Sequence, residues 1–261
     1  MPDNKVSTLS RITAILDSFS TDNPVLGVRE VARKVNMSSS AAGRLMQAMR
    51  DLNILSQDPT TSLYSMGSRP LTWAGVYSST LDVRNIAMPF LHELHHDTME
   101  TISLYIMDGT ERVCIERLES PQNVRIVARI GRRLPLYAGS AGKVFLAFLP
   151  EARCMEILET TDLVPLTPKT IVDKGSLLNE LEMIRKQGFA ASRGEWLLDA
   201  SGVAAPIFDQ AGAVVAAVTI SGPGQRFTSE KIEEYSKMVM RVARQISDEM
   251  GYRGAGYPRK K

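Results

Sequence analysis

The sequence predicts an α+β chain of two unlike parts, and three observations carry that prediction. Two short amphipathic segments, Val28–Val35 and Ser39–Leu52, are joined by Asn36-Met37-Ser38, and a turn-rich hairpin over Ile54–Met66 follows at once. Helix, turn, helix and β-wing in that order is a shape that lies in a DNA groove. From Thr101 the apolar period changes to two, and strands then mix with helices almost to the C-terminus. Between these parts lies a largely helical stretch. The organisation read from this is a winged helix-turn-helix domain at 1–68, a helical linker at 69–99, a domain at 100–251 able to hold a small molecule, and a flexible basic tail at 252–261.

Each element has a local cause. Val6, Leu9, Ile12, Leu16 and Phe19 recur at three and four, which predicts a first helix, and Thr21-Asp22-Asn23-Pro24 ends it. Val28, Val31, Ala32 and Val35 form the inner stripe of a second. Ser38-Ser39-Ser40 supplies N-cap candidates, because a serine oxygen accepts the unpaired amides of a first helical turn. Ala41, Ala42, Leu45, Met49 and Leu52 then point inward, leaving Ser39, Ser40, Gly43, Arg44, Gln47 and Arg50 outward. Asp58–Ser62 turns between strands Ile54–Gln57 and Leu63–Met66. Arg69–Asp82 reads as a partly helical linker. Leu81–Met99 is a longer helix in which Pro89 predicts a kink or a fresh start.

In the second part, Ile102, Leu104 and Ile106 alternate, Asp108-Gly109 marks a hairpin turn, and Val113 and Ile115 return. Val124, Ile126, Ala128 and Ile130 predict a third strand. Helices are expected over Ala141–Leu149, Glu151–Glu159 and Ser176–Gln187, and strands over Phe189–Glu195, Val203–Phe208 and Ala213–Ser221. Thr228 caps a final helix to Met250 with Ile232, Tyr235, Val239, Val242 and Ile246 on one stripe. Gly251–Lys261 reads as a loose tail.

Composition excludes several classes. No apolar run approaches the ~18–20 residues that span a bilayer, and no signal-peptide core follows Met1, so no membrane partner and a cytoplasmic location are expected. Cys114 and Cys154 have no CxxC spacing, so neither a disulfide framework nor a zinc knuckle is indicated. Net charge is only +2, but residues 28–50 hold five basic residues against Glu30 alone. That basic face can contact phosphates, which gives affinity without sequence information; it also fits a plain solvated helix or a winged domain that meets protein.

Catalytic signals are poor. Ala138-Gly139-Ser140-Ala141-Gly142 lacks the glycine that a nucleophile elbow needs two positions before its serine. It reads instead as a small-residue loop before a helix, whose amides either bind an anion or simply pack tightly. His92, His95 and His96 hold metal-compatible spacings on one helix, but a solvated surface explains them as well, and no HExxH is present. Gly222-Pro223-Gly224 is not a dinucleotide loop, and nothing calls for a cofactor or metal. An enzyme with an appended winged domain stays open as an alternative, since catalytic groups scattered along a chain leave no local motif.

Several stretches together resemble the IclR family (isocitrate lyase regulator type) of bacterial transcription regulators, over essentially the full length. They are Val28-Arg29-Glu30-Val31-Ala32 with Arg44-Leu45-Met46, Leu81–Leu91, Arg132–Lys143, Leu166-Thr167-Pro168-Lys169-Thr170-Ile171, Val203-Ala204-Ala205-Pro206 and Ser221-Gly222-Pro223. The resemblance implies a winged helix-turn-helix, a helical linker and an effector domain with a GAF/PAS-like antiparallel sheet flanked by helices. It implies a homodimer or homotetramer on a palindromic double-stranded DNA operator, repressing or activating a catabolic or efflux operon under a small aromatic or carboxylate effector. Carried over, it places DNA contacts at Ser38, Ser39, Ser40, Arg44, Gln47 and Arg50, with Arg44 first. It places the effector at Gly139, Ser140, Ala141, Gly142, Thr219 and Ser221. Two positions depart from the family pattern: Ser192, where carboxylate-binding members often have an acid, and Gly202, where many have cysteine. Those departures predict a roomier, more apolar pocket and a larger, less charged effector. Arg193 could pair with a carboxylate if it points inward.

Overall fold

The computed structural model describes residues 8–79, 82–126 and 129–254. The chain forms two compact units, 1–80 and 81–261.

The first unit contains α1 (Thr8–Asp17), β1 (Val25–Leu26), α2 (Val28–Lys34), α3 (Ser39–Asp51), β2 (Leu55–Gln57), β3 (Tyr64–Met66) and α4 (Arg69–Ser79). The turn between α2 and α3 follows from Asn36, which takes a φ of 52°. Asparagine tolerates this left-handed region, so it can end a helix as glycine does. The Met37 amide then donates to the Ala32 carbonyl at 2.9 Å, and Asn53, at φ 58°, ends α3 in the same way. Ser38 caps α3 by accepting from the Ala41 amide at 3.3 Å. Ser38→Ala is expected to cost about 1 kcal/mol, the usual loss of a side-chain cap, measured by urea unfolding of the first unit; an unchanged midpoint would refute the cap.

The core of this unit is Ile15, Leu26, Val31, Met46, Met49, Leu55 and Tyr64. Two assignments on α3 change. Leu52 is half exposed, because it is the C-cap of α3, and Met46 is buried in its place. Gly43 packs toward Val28 rather than outward. The short β1, not expected from the sequence, pairs antiparallel with β3 and makes the wing a three-stranded sheet in the order β1-β3-β2. Val6 lies outside the described residues.

The second unit contains α5 (Asp82–Thr98), β4 (Thr101–Asp108), β5 (Glu111–Leu118), β6 (Arg133–Pro135), α6 (Ser140–Phe148), α7 (Glu151–Thr160), α8 (Lys174–Gln187), β7 (Ala190–Arg193), β8 (Ala200–Phe208), β9 (Val214–Pro223) and α9 (Ser229–Glu249). Six strands form one antiparallel sheet in the order β6-β5-β4-β9-β8-β7. One face packs Ile102, Leu104, Val203, Val218 and Ile220 against α5 and α9. The other packs Tyr105, Cys114, Ala204 and Ala217 against α6, α7 and α8. With helices on both faces, strand alternation no longer sorts buried from exposed residues, and β8 is buried at every position.

Three local expectations are corrected here. The fresh start offered at Pro89 does not occur, since α5 runs unbroken through it. The strand over Val124–Ile130 does not form among its described residues, while Val127 and Ala128 lie outside them. The place beside β5 is taken by β6, and the Ile126 carbonyl accepts from Arg117 Nη2 instead. Tyr252, expected in a loose tail, is buried against Phe208. A C-terminal cap on α9 turns it inward: Gly251 takes φ 86°, and the Tyr252 amide donates to the Ser247 carbonyl at 2.8 Å. Residues 255–261 lie outside the described ones. No helix among the described residues is long and apolar enough to cross a membrane.

Candidate functional site

The outer face of α3 presents Ser39, Ser40, Arg44 and Gln47, all exposed. Ser38 and Arg50 are placed differently. The Ser38 hydroxyl is spent on the helix cap. Arg50 is half-buried: its Nη2 lies 2.7 Å from Asp51 Oδ1, and its Nη1 donates to Gln57 Oε1 of the wing at 3.1 Å. It braces α3 to β2, with its charge opposed by Asp51. The wing turn is held by Asp58, whose Oδ1 accepts the Thr60 and Thr61 amides at 2.8 and 2.7 Å. Those bonds lower the Asp58 pKa.

In the second unit, a cavity at the N-terminus of α6 gathers seven of the eight expected effector positions: Gly139, Ser140, Ala141, Ser192, Gly202, Thr219 and Ser221. Gly142 is the eighth and does not line it. Its α-carbon packs against the Leu136 carbonyl, where even a methyl group would stand 2.3 Å from the oxygen. Tight packing therefore holds at Gly142, while Gly139, Ser140 and Ala141 line the cavity. The amides at the start of α6 are partly taken by the protein itself. Gly139 N–H donates to Glu195 Oε2 at 2.9 Å and Ser140 N–H to Ser192 Oγ at 3.1 Å. Glu195 in turn meets Lys143, which is 1% exposed, at 2.6 Å, and Lys143 also meets Glu180 at 2.8 Å. The loop carrying Glu195 is held from below: Thr170 Oγ1 donates to the Glu195 carbonyl at 2.6 Å and Thr167 Oγ1 to that of Gly194.

Sequence reasoning missed Tyr105, Arg112, Ile126, Trp196 and Ser201, which complete the lining. Trp196 sits under the Arg132 guanidinium, 4.8 Å from ring centroid to Cζ. Thr219 and Ser221 donate their hydroxyl protons to the Ser103 and Thr101 carbonyls, so they present lone pairs toward a ligand. The free space is about 30 Å³, room for about two water-sized groups. The roomier, more apolar pocket expected from Ser192 and Gly202 is thus not what forms. Ser140 Oγ fills the space beside Gly202, and Arg112 and Trp196 close in around Gly139. Arg193 faces away, with Nη2 3.3 Å from Ser229 Oγ.

The remaining candidates lie elsewhere. His95 shares a 2.8 Å hydrogen bond with the Glu119 carbonyl, and His92 and His96 are exposed. No metal-binding cluster occurs among the described residues. Cys114 lies buried on the cavity side of the sheet, and burial pushes its thiol up to about 11; Cys154 is raised for the same reason. Both thiols are therefore expected to resist Ellman's reagent at pH 8 in the folded protein and to react after unfolding. Rapid labelling of the native chain would contradict their burial.

Residues 8–59 match the IclR helix-turn-helix domain, and residues 75–248 match the bacterial transcriptional regulator IclR C-terminal domain. Among curated relatives, the HTH-type transcriptional regulator KipR of Bacillus subtilis is 31% identical, over 95% of this chain and 99% of its own length. The HTH-type transcriptional regulator KdgR of Escherichia coli is 33% identical, over 96% and 95%. The crystal structure of Thermotoga maritima IclR superposes with a TM-score of 0.80 at 36% identity, covering 94% of this chain and 99% of that one. An IclR homologue from Microbacterium hydrocarbonoxydans, complexed with 4-hydroxybenzoate, superposes with a TM-score of 0.80 at 27% identity, over the same 94% and 99%. A winged helix with an open reading face and a lined cavity, matched end to end in this way, place the chain in the IclR family of ligand-responsive bacterial transcriptional regulators.

Proposed function

We propose that the chain acts in the cytoplasm as a homo-oligomer. It would bind a palindromic DNA operator through α3 and the wing and hold a small carboxylate or aromatic metabolite in the α6 cavity. The observation that carries the DNA reading is the outer face of α3, where Arg44 and Gln47 stand exposed between Ser39-Ser40 and the wing. Ser39, Ser40, Arg44 and Gln47 are assigned the DNA contacts, Ser38 the helix cap, and Arg50 the brace to the wing. Leu71, at 76% exposed, and Trp73, at 50%, leave an apolar surface on α4 that a second copy would cover. Effector binding would shift operator affinity only by as much as the effector distinguishes two arrangements of the dimer.

The enzyme alternative finds less support. All three histidines lie on α5, across the sheet from Ser140 on α6. No imidazole is therefore placed to activate that hydroxyl.

The test is a gel-shift titration against DNA flanking the protein's own gene, with nonspecific competitor and at two salt concentrations. A specific shift that weakens with salt is expected. Arg44→Ala should weaken it by about 5–150-fold, which corresponds to roughly 1–3 kcal/mol for one arginine–base contact, while leaving effector binding intact. Equal affinity of the variant at matched salt removes Arg44 from the interface.

A further inference from the structure

In an unbroken strand Cys114 and Glu116 would share one face of β5, being two residues apart. A β-bulge parts them. Cys114 pairs with Tyr105 and Glu116 with the preceding Leu104, so Ile115 is the extra residue. Cys114 keeps to the face that packs on α6, with Tyr105, while Ile115 joins the core against α5 and α9. Glu116 then meets α5, where its Oε2 lies 2.5 Å from Arg84 Nη2. Arg117, the next residue, reaches the cavity instead. Its Nη2 donates to the carbonyl of the lining residue Ile126 at 2.6 Å.

The two arms join at Glu116. Its Oε1 accepts the Arg117 amide at 2.8 Å, so both carboxylate oxygens are engaged, one within β5 and one on α5. A continuous polar path therefore runs from the Ile126 carbonyl through Arg117 and Glu116 to Arg84. Arg84 is the third residue of α5 (Asp82–Thr98), and α4 ends at Ser79. The path thus ends where the second unit takes up the chain from the first. Its other end is where movement starts. With about 30 Å³ free, a ligand larger than about two water-sized groups has to displace the cavity wall. Ile126 and Trp196 are the two lining side chains that stand outside strands and helices.

Stability does not account for the Glu116–Arg84 pair. Glu116 is 7% exposed, on a face whose other contacts with the start of α5 are apolar, through Val83 and Ala87. Apolar residues of similar size would hold that face as well or better, because desolvating two charges offsets most of their attraction. What the ion pair adds is direction. It favours one placement of α5 against β5, whereas apolar burial is non-directional.

We propose that Glu116 is a positioning residue that couples the cavity to the start of α5. A shift of Ile126 as the cavity fills is passed through Arg117 and the Glu116–Arg84 pair to the helix that receives the chain from the first unit. This rests on the reading of the chain as an effector-controlled regulator and names the route of that control. The bulge at Ile115 makes the route possible, since it alone lets neighbouring residues of β5 hold the helix and the cavity wall at once.

A cycle of substitutions in the full chain tests this without any ligand. Ile126→Ala loosens the cavity end of the path. Hydrogen exchange at residues 86–88, the first amides that a helix starting at Asp82 bonds to its own carbonyls, reads the other end. Ile126→Ala should speed that exchange by about 5-fold or more. In Glu116→Gln, which keeps the size and removes the charge, the same substitution should change it by less than about twofold, as for sites that no longer communicate. The apolar pair Arg84→Met with Glu116→Leu should be equally unresponsive. That pair separates coupling from stability, because it should keep the urea midpoint of the unaltered chain while the response stays lost. Unchanged exchange in Ile126→Ala alone, or a full response in either altered background, overturns the proposal. If Glu116→Gln does not fold, the apolar pair decides. Operator binding is read by gel shift on the same samples. No exchange response with an intact specific shift overturns the path only; an exchange response without a specific shift overturns the regulator reading and leaves the path.

Discussion

Replacing Lys143 by methionine is expected to cost about 3–5 kcal/mol, the usual effect of removing one partner of a buried ion pair. Lys143 is 1% exposed and joins Glu195, Glu180 and the Ala191 carbonyl, tying α6 to α8 and β7. Methionine fills the same space, so the loss comes from charge and not from a cavity. It leaves the Glu195 carboxylate inside the fold with the Gly139 amide but without its ion-pair partner. Urea unfolding, followed by Trp196 fluorescence and circular dichroism, measures it. Adding Glu195→Gln should return most of the loss, because a neutral amide oxygen still accepts from Gly139 and no buried charge is left over. A loss below ~1 kcal/mol in the single variant, or no recovery in the double, would show that the pair is solvated and not structural.

The second large effect is expected from Gly142→Ala. The added methyl would stand 2.3 Å from the Leu136 oxygen and 2.5 Å from Arg112 Nη1. The first neighbour is backbone and cannot swing aside, and the second is held by two carbonyls. We expect a loss near the top of the ~1–3 kcal/mol range for overpacking, although alanine is intrinsically the better helix former by about 1 kcal/mol. Calorimetry of the variant reads the loss. An unchanged or raised melting temperature would mean that the β6–α6 loop relaxes freely.

Much of the fold was legible locally. A helix of three turns carries its own period and caps, which is why the expected Ser39–Leu52 and the observed Ser39–Asp51 differ by one residue. The loop from Gly139 to Gly142 was legible for a related reason, since runs of small residues mark close backbone approach whatever lies opposite. Strand readings fared worse where pairing is not local. Val124–Ile130 alternates as a strand should, yet β6 occupies the place beside β5, and nothing within those seven residues records that. The alternation of Ile102, Leu104 and Ile106 marks one face of β4 and leaves the opposite face, with Tyr105, unassigned. In the fold the opposite face meets α6, and Tyr105 is buried in the cavity wall.

Arg112 shows the limit most clearly. In sequence it is a basic residue in a hairpin, no different from Arg133, which lies exposed and paired with Asp108 and Glu111. Its burial depends on a loop 26 residues away, whose Ala138 carbonyl it meets. Periodicity, capping and turn chemistry are properties of neighbouring residues, so the winged helix, the order of elements and the small-residue loop followed from the chain itself. Which strands sit side by side, which face each helix covers and which charges are buried together depend on contacts between distant segments, and only the folded chain brings those together.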